Sequence, residues 1–565
     1  MLEGLAGRFN LSALKKPILY ILALDLAIYL VGVTWGLPNV EDWLTDSLAP
    51  YHPLIGLSKA FSFGYFNKYP VVHQLILAVL NLPVVIGAFI AHISPDGFRL
   101  YEFLSYARSA EFATWLILID RLVSVTMGLL TVYFLYLGAR ELFSERAALI
   151  GALLASFNIS LNYYAHVAKV EVPYVFWAVV SLYFLIRIVK YDGLRDYVWC
   201  VVAASLSHGS KDQGYAIFVL PFVLFMVVYQ VVARSDKALS IRDVLLRKKL
   251  WIGAGALVVS SLLAQSVLFN PDGFVARFEH LTKEGGVRNI QYSYAIDGIY
   301  ALWRDSIKFM MLDAMTVPLF VLSVAGMGLV AYRYRKDGRE LFLKLFYLFP
   351  ALSYSIFFVQ VIRQSSVRYS LPTSLFITVF AGFAADYLLE KTAGLGKKAV
   401  SVMLVLVGAF ALYEGLSVNA TMLGDVRYDA EAWMNTHMTK GAVIEYYSYL
   451  QYLPRFPGGS RSYRVKNDVG DIEKRRPDYL VLTSKYYQRF LRKPELDTGR
   501  MTTIRMERDS KSGMPEFLDD LFADRLNYRL EKRFDLDVPF FRVPAAQKIS
   551  PDHILVYRRL GAEKK

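Results

Sequence analysis

The sequence predicts a polytopic α-helical membrane protein that ends in a smaller water-soluble α/β domain. Three observations predict it. Of the 565 residues, 55% are hydrophobic, above the roughly 45–50% of soluble domains, and mean hydropathy is +0.35. From Lys16 to about Leu416 the chain is a series of long apolar stretches, several exceeding the roughly 20 residues needed to cross a bilayer. After Gly424 the texture changes to short apolar runs and mixed charge. The chain therefore divides into a membrane domain, 1–420, and a soluble domain, 421–565.

Charge placement supports the division and sets an orientation. The net charge is +14, but the basic residues cluster between apolar stretches, as in Arg242/Arg247/Lys248/Lys249 and Arg333/Arg335/Lys336/Arg339. Such loops alternate with less basic ones, and the positive-inside bias makes them cytoplasmic. No continuous basic face with groove-reading elements is present, so nucleic acid is not an expected partner. The lone Cys200 excludes an intramolecular disulfide and a Cys-based metal site.

Taken in order, the first span covers about 17–35, and the two lysines before it, with no small-residue cleavage site after it, read as an uncleaved signal anchor. A long loop, 36–120, follows. Its apolar stretch 69–93 is long enough to cross, but crossing would put the later basic loops on the wrong side. It is therefore read as interfacial or re-entrant. From Arg121 the spans run about 121–139, 147–165, 173–189, 196–208, 215–233, 250–269, 307–331, 341–361, 370–389 and 399–416. That gives about eleven transmembrane helices on a 20-residue yardstick. Parity places loop 36–120, the turns near 165–172 and 208–214, loop 270–306, the stretch 362–369 and the soluble domain together on the extracytoplasmic, periplasmic side of an inner (plasma) membrane. In the soluble domain, 429–439 is helix-compatible, 442–447, 479–483 and 554–557 read as buried strands, and Pro457-Gly458-Gly459-Ser460 marks a turn.

The polar residues gather at span ends. The first loop reads GLPNVEDWLTDSLAPYHPL, with Glu41, Asp42 and Asp46 close together; Asp42 and Asp46 would share one helix face. Such carboxylates are either a solvated loop-helix end or a general base held near a lipid carrier. Downstream, GYFNKYPVVHQ presents Lys68, Tyr69, Pro70 and His73, and Arg121 opens a span. The segment YYAHVAKVEVPYVFW puts His166, Lys169 and Glu171 in a very short turn between two hydrophobic spans, a costly placement unless these groups are paired or wet.

With SHGSKDQGYAIFVLP and the RYSLP of a late span, the order and spacing of these pieces resemble the GT-C-fold glycosyltransferases, the bacterial relatives of protein O-mannosyltransferases and of the lipid A aminoarabinose transferase. The resemblance covers most of the membrane part and implies an inverting enzyme. A sugar on a polyprenyl phosphate would be attacked by a lipid, glycan or protein acceptor, with a carboxylate as base and cations on the departing phosphate. It makes Asp46 of WLTDS the expected base, with Ser47 where the family usually has Glu. That departure leaves Asp42 as the other candidate and weakens a two-carboxylate metal site, so a divalent metal is possible and no other cofactor is implied. Glu171 matches the acidic position of the second loop, which in the family helps shape the acceptor site, and joins Asp46 and Asp42 as a catalytic candidate. Arg368, Lys211 and Arg121 are the candidates for the donor phosphate, since an Arg fork holds two oxygens at once; each could instead be a cation snorkelling to the interface. His166, Lys169, Tyr69, His280 and Arg288 are the acceptor or lid candidates, the last two in FEHLTKEGGVRNIQYSY, a loop able to order over substrate. The alternative is a membrane transporter or lipid flippase of polyprenyl-linked or polysaccharide intermediates. Transporters place charge in broken helices at the midplane and show similar halves, neither of which is evident here.

Overall fold

The structure is a computed structural model that describes residues 17–60, 62, 69–95, 97–229, 241–285, 290–465, 469, 472–491, 500, 509 and 512–561. Its membrane domain is helical. The helices that position the site are α1 (Pro17–Leu30), α2 (Val72–Ala91), α3 (Ala110–Leu142), α4 (Glu145–Ser156), α5 (Ile159–Ala165), α6 (Glu171–Tyr191), α7 (Leu194–Ser210), α8 (Val317–Tyr334), α9 (Val367–Lys391) and α10 (Gly394–Leu423). Their starts follow from side-chain caps. Ser109, Ser144 and Asn158 accept the N–H groups of Phe112, Ala147 and Leu161, which opens α3, α4 and α5.

Among the described residues six helices are long and apolar enough to cross a membrane, and up to eight if two bent pairs each count as one span. One of those pairs is α4 and α5, bent by 63°. The sequence expectation is thus matched in kind, while length and composition of the described helices alone give six to eight spans beside the expected eleven or so. The expected spans at 17–35, 196–208 and 250–269 are the shorter helices α1, α7 and Lys248–Ala264, and the one at 215–233 runs past the described residues. The chain is a multi-pass membrane protein.

The stretch expected to lie in the interface is one continuous helix of 20 residues, α2. Its place follows from the unequal lengths of α3 and α6. At 1.5 Å per residue, the 33 residues of α3 reach about 50 Å and the 21 of α6 about 31 Å. They are level at one end, where Lys190 Nζ donates to Glu141 Oε2 at 2.7 Å. The first dozen or so residues of α3 therefore project beyond Glu171, and α2 packs there. Asn81 Nδ2 donates to Asp120 Oδ1 at 2.8 Å, and Ala88 clusters with Phe112 and Leu116. Val79, Leu82, Ile86 and Ile90 are exposed on its far side, an apolar face suited to lipid.

Close helix contact in the core uses small residues. A Cβ at Gly382 of α9 would come within 2.3 Å of the Ala147 carbonyl oxygen and 2.7 Å of Gly151 Cα, so α9 and α4 touch backbone to backbone.

α10 ends at Gly424, and Asp425 caps α11 (Val426–His437), which starts the soluble domain. A five-stranded mixed sheet follows: β1 (Val443–Tyr446), β2 (Arg461–Arg464), β3 (Tyr479–Thr483), β4 (Tyr528–Asp535) and β5 (His553–Arg559), in the order β2-β1-β3-β5-β4. β1 runs parallel to β2 and β3; β5 is antiparallel to β3 and β4. The strands alternate between two covers, as a period of two requires. Tyr479 and Val481 pack on Ala430 and Met434 of α11, while Leu480 and Leu482 pack on Tyr486 and Phe490 of α12 (Ser484–Leu491). Buried on both faces, β3 reads as an unbroken apolar run.

Candidate active site

The first loop is fixed to the membrane domain by Arg121 of α3. Its wholly buried guanidinium donates to the carbonyl oxygens of Val33 at 2.6 Å and Trp35 at 2.8 Å, and to Asp42 Oδ1 at 2.7 Å. Ser47 Oγ donates to the other oxygen of Asp42 at 2.7 Å. Asp42 thus has both oxygens engaged and a side chain only 1% exposed. Arg121, expected as a phosphate ligand or a snorkelling cation, and Asp42, expected as a possible base, form a buried pair that shapes the loop. Removing one partner of such a pair leaves an uncompensated charge, at about 3–5 kcal/mol.

Asp46 is placed differently. Its φ of 59° lies in the left-handed region, which Asp tolerates better than most residues. Its side chain is 39% exposed and 4.0 Å from Arg368 Nη1. Ser47 stands where a second carboxylate is usual in the resembled family, and it serves Asp42 instead. The next residue ties the loop to the second turn, with Leu48 N–H donating to the Ala168 carbonyl at 2.9 Å. Asp46 opens on a cavity of about 600 Å³ lined also by Glu41, Tyr51, His52, Tyr69 and Gln74, with Gln451 contributed by the soluble domain.

The second turn adds an acid and two cations. Glu171 opens α6, where the helix N-terminus favours negative charge, and Lys211 Nζ donates to its Oε1 at 2.9 Å. Lys211 also lies 5.5 Å from the centre of the Tyr174 ring. Burial pushes the Lys211 ammonium down to about 8, with Glu171 opposing the shift. Burial also lowers Lys169, which feels Glu171, Asp46 and Arg368 together. Arg368, in the first turn of α9, donates to Tyr369 Oη at 2.8 Å and lies over that ring. Tyr69 is held above its ordinary value by burial and then by the Asp46 and Glu171 charges. Asp46, Tyr69, Lys169, Glu171, Lys211 and Arg368, far apart in sequence, are therefore one electrostatic cluster.

Other expected residues stand apart from it. His166 is wholly buried below the turn, with its ring nitrogens 2.7 Å from the Asn162 carbonyl and 2.8 Å from that of Val31. His280 follows helix Pro271–Glu279, and Arg288 lies outside the described residues. The described end of that loop is tied down. Tyr292 Oη and Arg500 Nη2 donate to Asp305 Oδ2 at 2.7 and 2.6 Å. Among the described residues no three His, Cys, Asp or Glu side chains gather to hold an ion. Asp42 is held by Arg121 and Glu171 by Lys211.

Sequence reasoning missed the contribution of the soluble domain. Arg427, Tyr428, Gln451 and Arg455 reach the first loop, as Gly36 N–H to Tyr428 Oη (2.7 Å) and Arg455 Nη1 to the Pro38 carbonyl (2.7 Å) illustrate. The only signal available was the pair of tryptophans, Trp35 and Trp43, where the first span gives way to the first loop.

Residues 116–264 match the family model described as dolichyl-phosphate-mannose-protein mannosyltransferase. No curated protein sequence matches. Among solved structures, ArnT from Cupriavidus metallidurans bound to undecaprenyl phosphate is 14% identical, with 96% of this chain and 98% of that chain covered at a TM-score of 0.50. The archaeal oligosaccharyltransferase AglB from Archaeoglobus fulgidus, in complex with an inhibitory peptide and a dolichol-phosphate, is 13% identical over 96% of this chain and 88% of that chain, at a TM-score of 0.48. The arabinofuranosyltransferase AftD from Mycobacteria is 13% identical over 97% of this chain and 40% of that chain, at 0.44.

Proposed function

This chain is a multi-pass membrane protein with the GT-C glycosyltransferase fold, and we propose that it moves a sugar from a polyprenyl-phosphate-linked donor to an acceptor hydroxyl or amine on the extracytoplasmic face of the plasma membrane. The observation that carries this reading is the meeting of one accessible carboxylate, Asp46, with Arg368 beside a cavity. Glu171 and Lys211 complete the same cluster. The acceptor enters the cavity, and Asp46 takes its proton. The acceptor oxygen or nitrogen bonds to the anomeric carbon from the face opposite the phosphate, so configuration inverts. The bond from that carbon to the phosphate oxygen breaks, its electron pair leaves with the phosphate, and Arg368 and Lys211 hold the released polyprenyl phosphate. Glu171 keeps Lys211 in place, and Lys169 adds positive charge. A lipid-phosphate carrier is also the ligand class seen in the ArnT structure.

The test is reconstitution with polyprenyl-phosphate sugars labelled in the sugar, together with an envelope fraction as acceptor. Label is expected in a covalent product, with free polyprenyl phosphate released in equal amount. Movement of intact donor across the bilayer without a product would support transport instead.

A pH dependence follows from Lys211. Its pKa is lowered from 10.5 to about 8, so the ammonium that binds phosphate is present below that value and is lost as pH rises through it. Above about pH 7, where a phosphate monoester with a second pKa near 6 is fully ionised, polyprenyl-phosphate affinity should weaken as pH rises through about 8, by up to about tenfold per unit well above it. Lys211→Arg, which stays charged, should remove the step. An unchanged affinity up to about pH 9.5 in the parent protein would take Lys211 out of the phosphate site.

A further inference from the structure

We infer that the soluble domain is a structural half of the catalytic site, with Arg427 the positioning residue that sets the first loop and so aims Asp46. The inference rests on the reading of Asp46 as the base. It also makes a statement about the loop that stands without it.

Arg427 sits in the first turn of α11 and is wholly buried. Its fork closes on Asp425, Nε to Oδ1 at 2.9 Å and Nη2 to Oδ2 at 2.6 Å. The remaining donors reach the carbonyl oxygens of Gln451 at 2.7 Å and Ile549 at 3.1 Å in the soluble domain and of Trp43 at 3.5 Å in the first loop. Its flat face lies 4.1 Å from the centre of the Trp43 ring and 5.2 Å from that of Trp35. Trp35 Nε1 donates to Asp425 Oδ2 at 2.9 Å, so the same ion pair grips the loop by a hydrogen bond and by stacking. A buried Arg–carboxylate fork over an aromatic face resists rotation, and lysine cannot reproduce it.

The loop is thus held between two buried Arg–Asp pairs. Arg121–Asp42 binds it from the membrane domain and Arg427–Asp425 from the soluble domain, with Trp35 and Trp43 between them. Trp43 packs closely enough on Gly36 that a Cβ there would come within 2.7 Å of the ring, and Gly36 has a φ of 75°. Three residues after Trp43 the chain emerges at Asp46. Its position opposite Arg368 is therefore fixed by residues from both domains.

Hydrogen exchange, transfer rate and polyprenyl-phosphate affinity, measured on Arg427→Lys and Trp35→Phe in the full-length protein, test this. Exposed Arg533→Ala is the control. The expected result is faster exchange in peptides covering 36–48 with the spans still protected. Transfer should be slowed by about 100-fold, the scale of a 1 Å misplacement, with affinity within a few-fold of the parent because Arg368 and Lys211 belong to other elements. Unchanged exchange and rate in both variants would overturn the inference. So would a uniform loss of protection with loss of lipid binding, since that marks general unfolding. Should the parent protein transfer no sugar at all, the proposed function fails, while the exchange arm still decides whether Arg427 holds the loop.

Discussion

Asp46→Asn is expected to slow glycosyl transfer by about 10²- to 10⁴-fold, because the carboxylate placed to take the acceptor's proton is then gone. The fold should survive, since the side chain is 39% exposed and the substitution keeps its shape. Polyprenyl-phosphate affinity should be retained or slightly raised, as one negative charge beside Arg368 disappears. Asp42→Asn should behave in the opposite way. It strips the charge from a pair with Arg121 that has no access to solvent, at a cost of about 3–5 kcal/mol, so it should lower the melting temperature and the yield. Transfer by the Asp42 variant, measured per folded molecule, should be reduced far less than in Asp46→Asn. Equal transfer by Asp46→Asn and the parent would remove Asp46 from the chemistry.

Arg368→Ala is expected to weaken polyprenyl-phosphate binding by about 100-fold. Charge-assisted hydrogen bonds contribute about 1.5–3 kcal/mol each, and each 1.4 kcal/mol is a factor of ten. Arg368→Lys should recover only part, because a point charge cannot bind two oxygens as a fork does. A loss confined to the catalytic rate, with affinity unchanged, would place the phosphate elsewhere.

Patterns local in sequence were the legible part. The soluble strands at 442–447, 479–483 and 554–557 appear as β1, β3 and β5 within a few residues, because burial on both faces leaves an unbroken apolar run. Asp46, Glu171, Lys211 and Arg368 were each singled out at a span end, where charge is costly without a purpose. What stayed hidden depends on partners distant in sequence. The difference between Asp42 and Asp46 is decided by Arg121, 79 residues from Asp42. Asp120, an acid at the edge of an expected span, is tolerated because Asn81 of α2 reaches it. That contact lies on the projecting part of α3, which the 20-residue yardstick left in the loop. Arg427 has no local signature at all. Its hydrogen-bond partners lie from 2 to 384 residues away, and an arginine just past the last span looks like any interfacial cation.

The most direct test of the central claim is a structure with a non-hydrolysable polyprenyl-phosphate-linked sugar bound. The account predicts the phosphate within hydrogen-bonding distance of Arg368 and Lys211, and the face of the anomeric carbon opposite the phosphate turned toward Asp46 and the first-loop cavity. A phosphate bound away from both cations, or a sugar on the far side of α9 from Asp46, would contradict it.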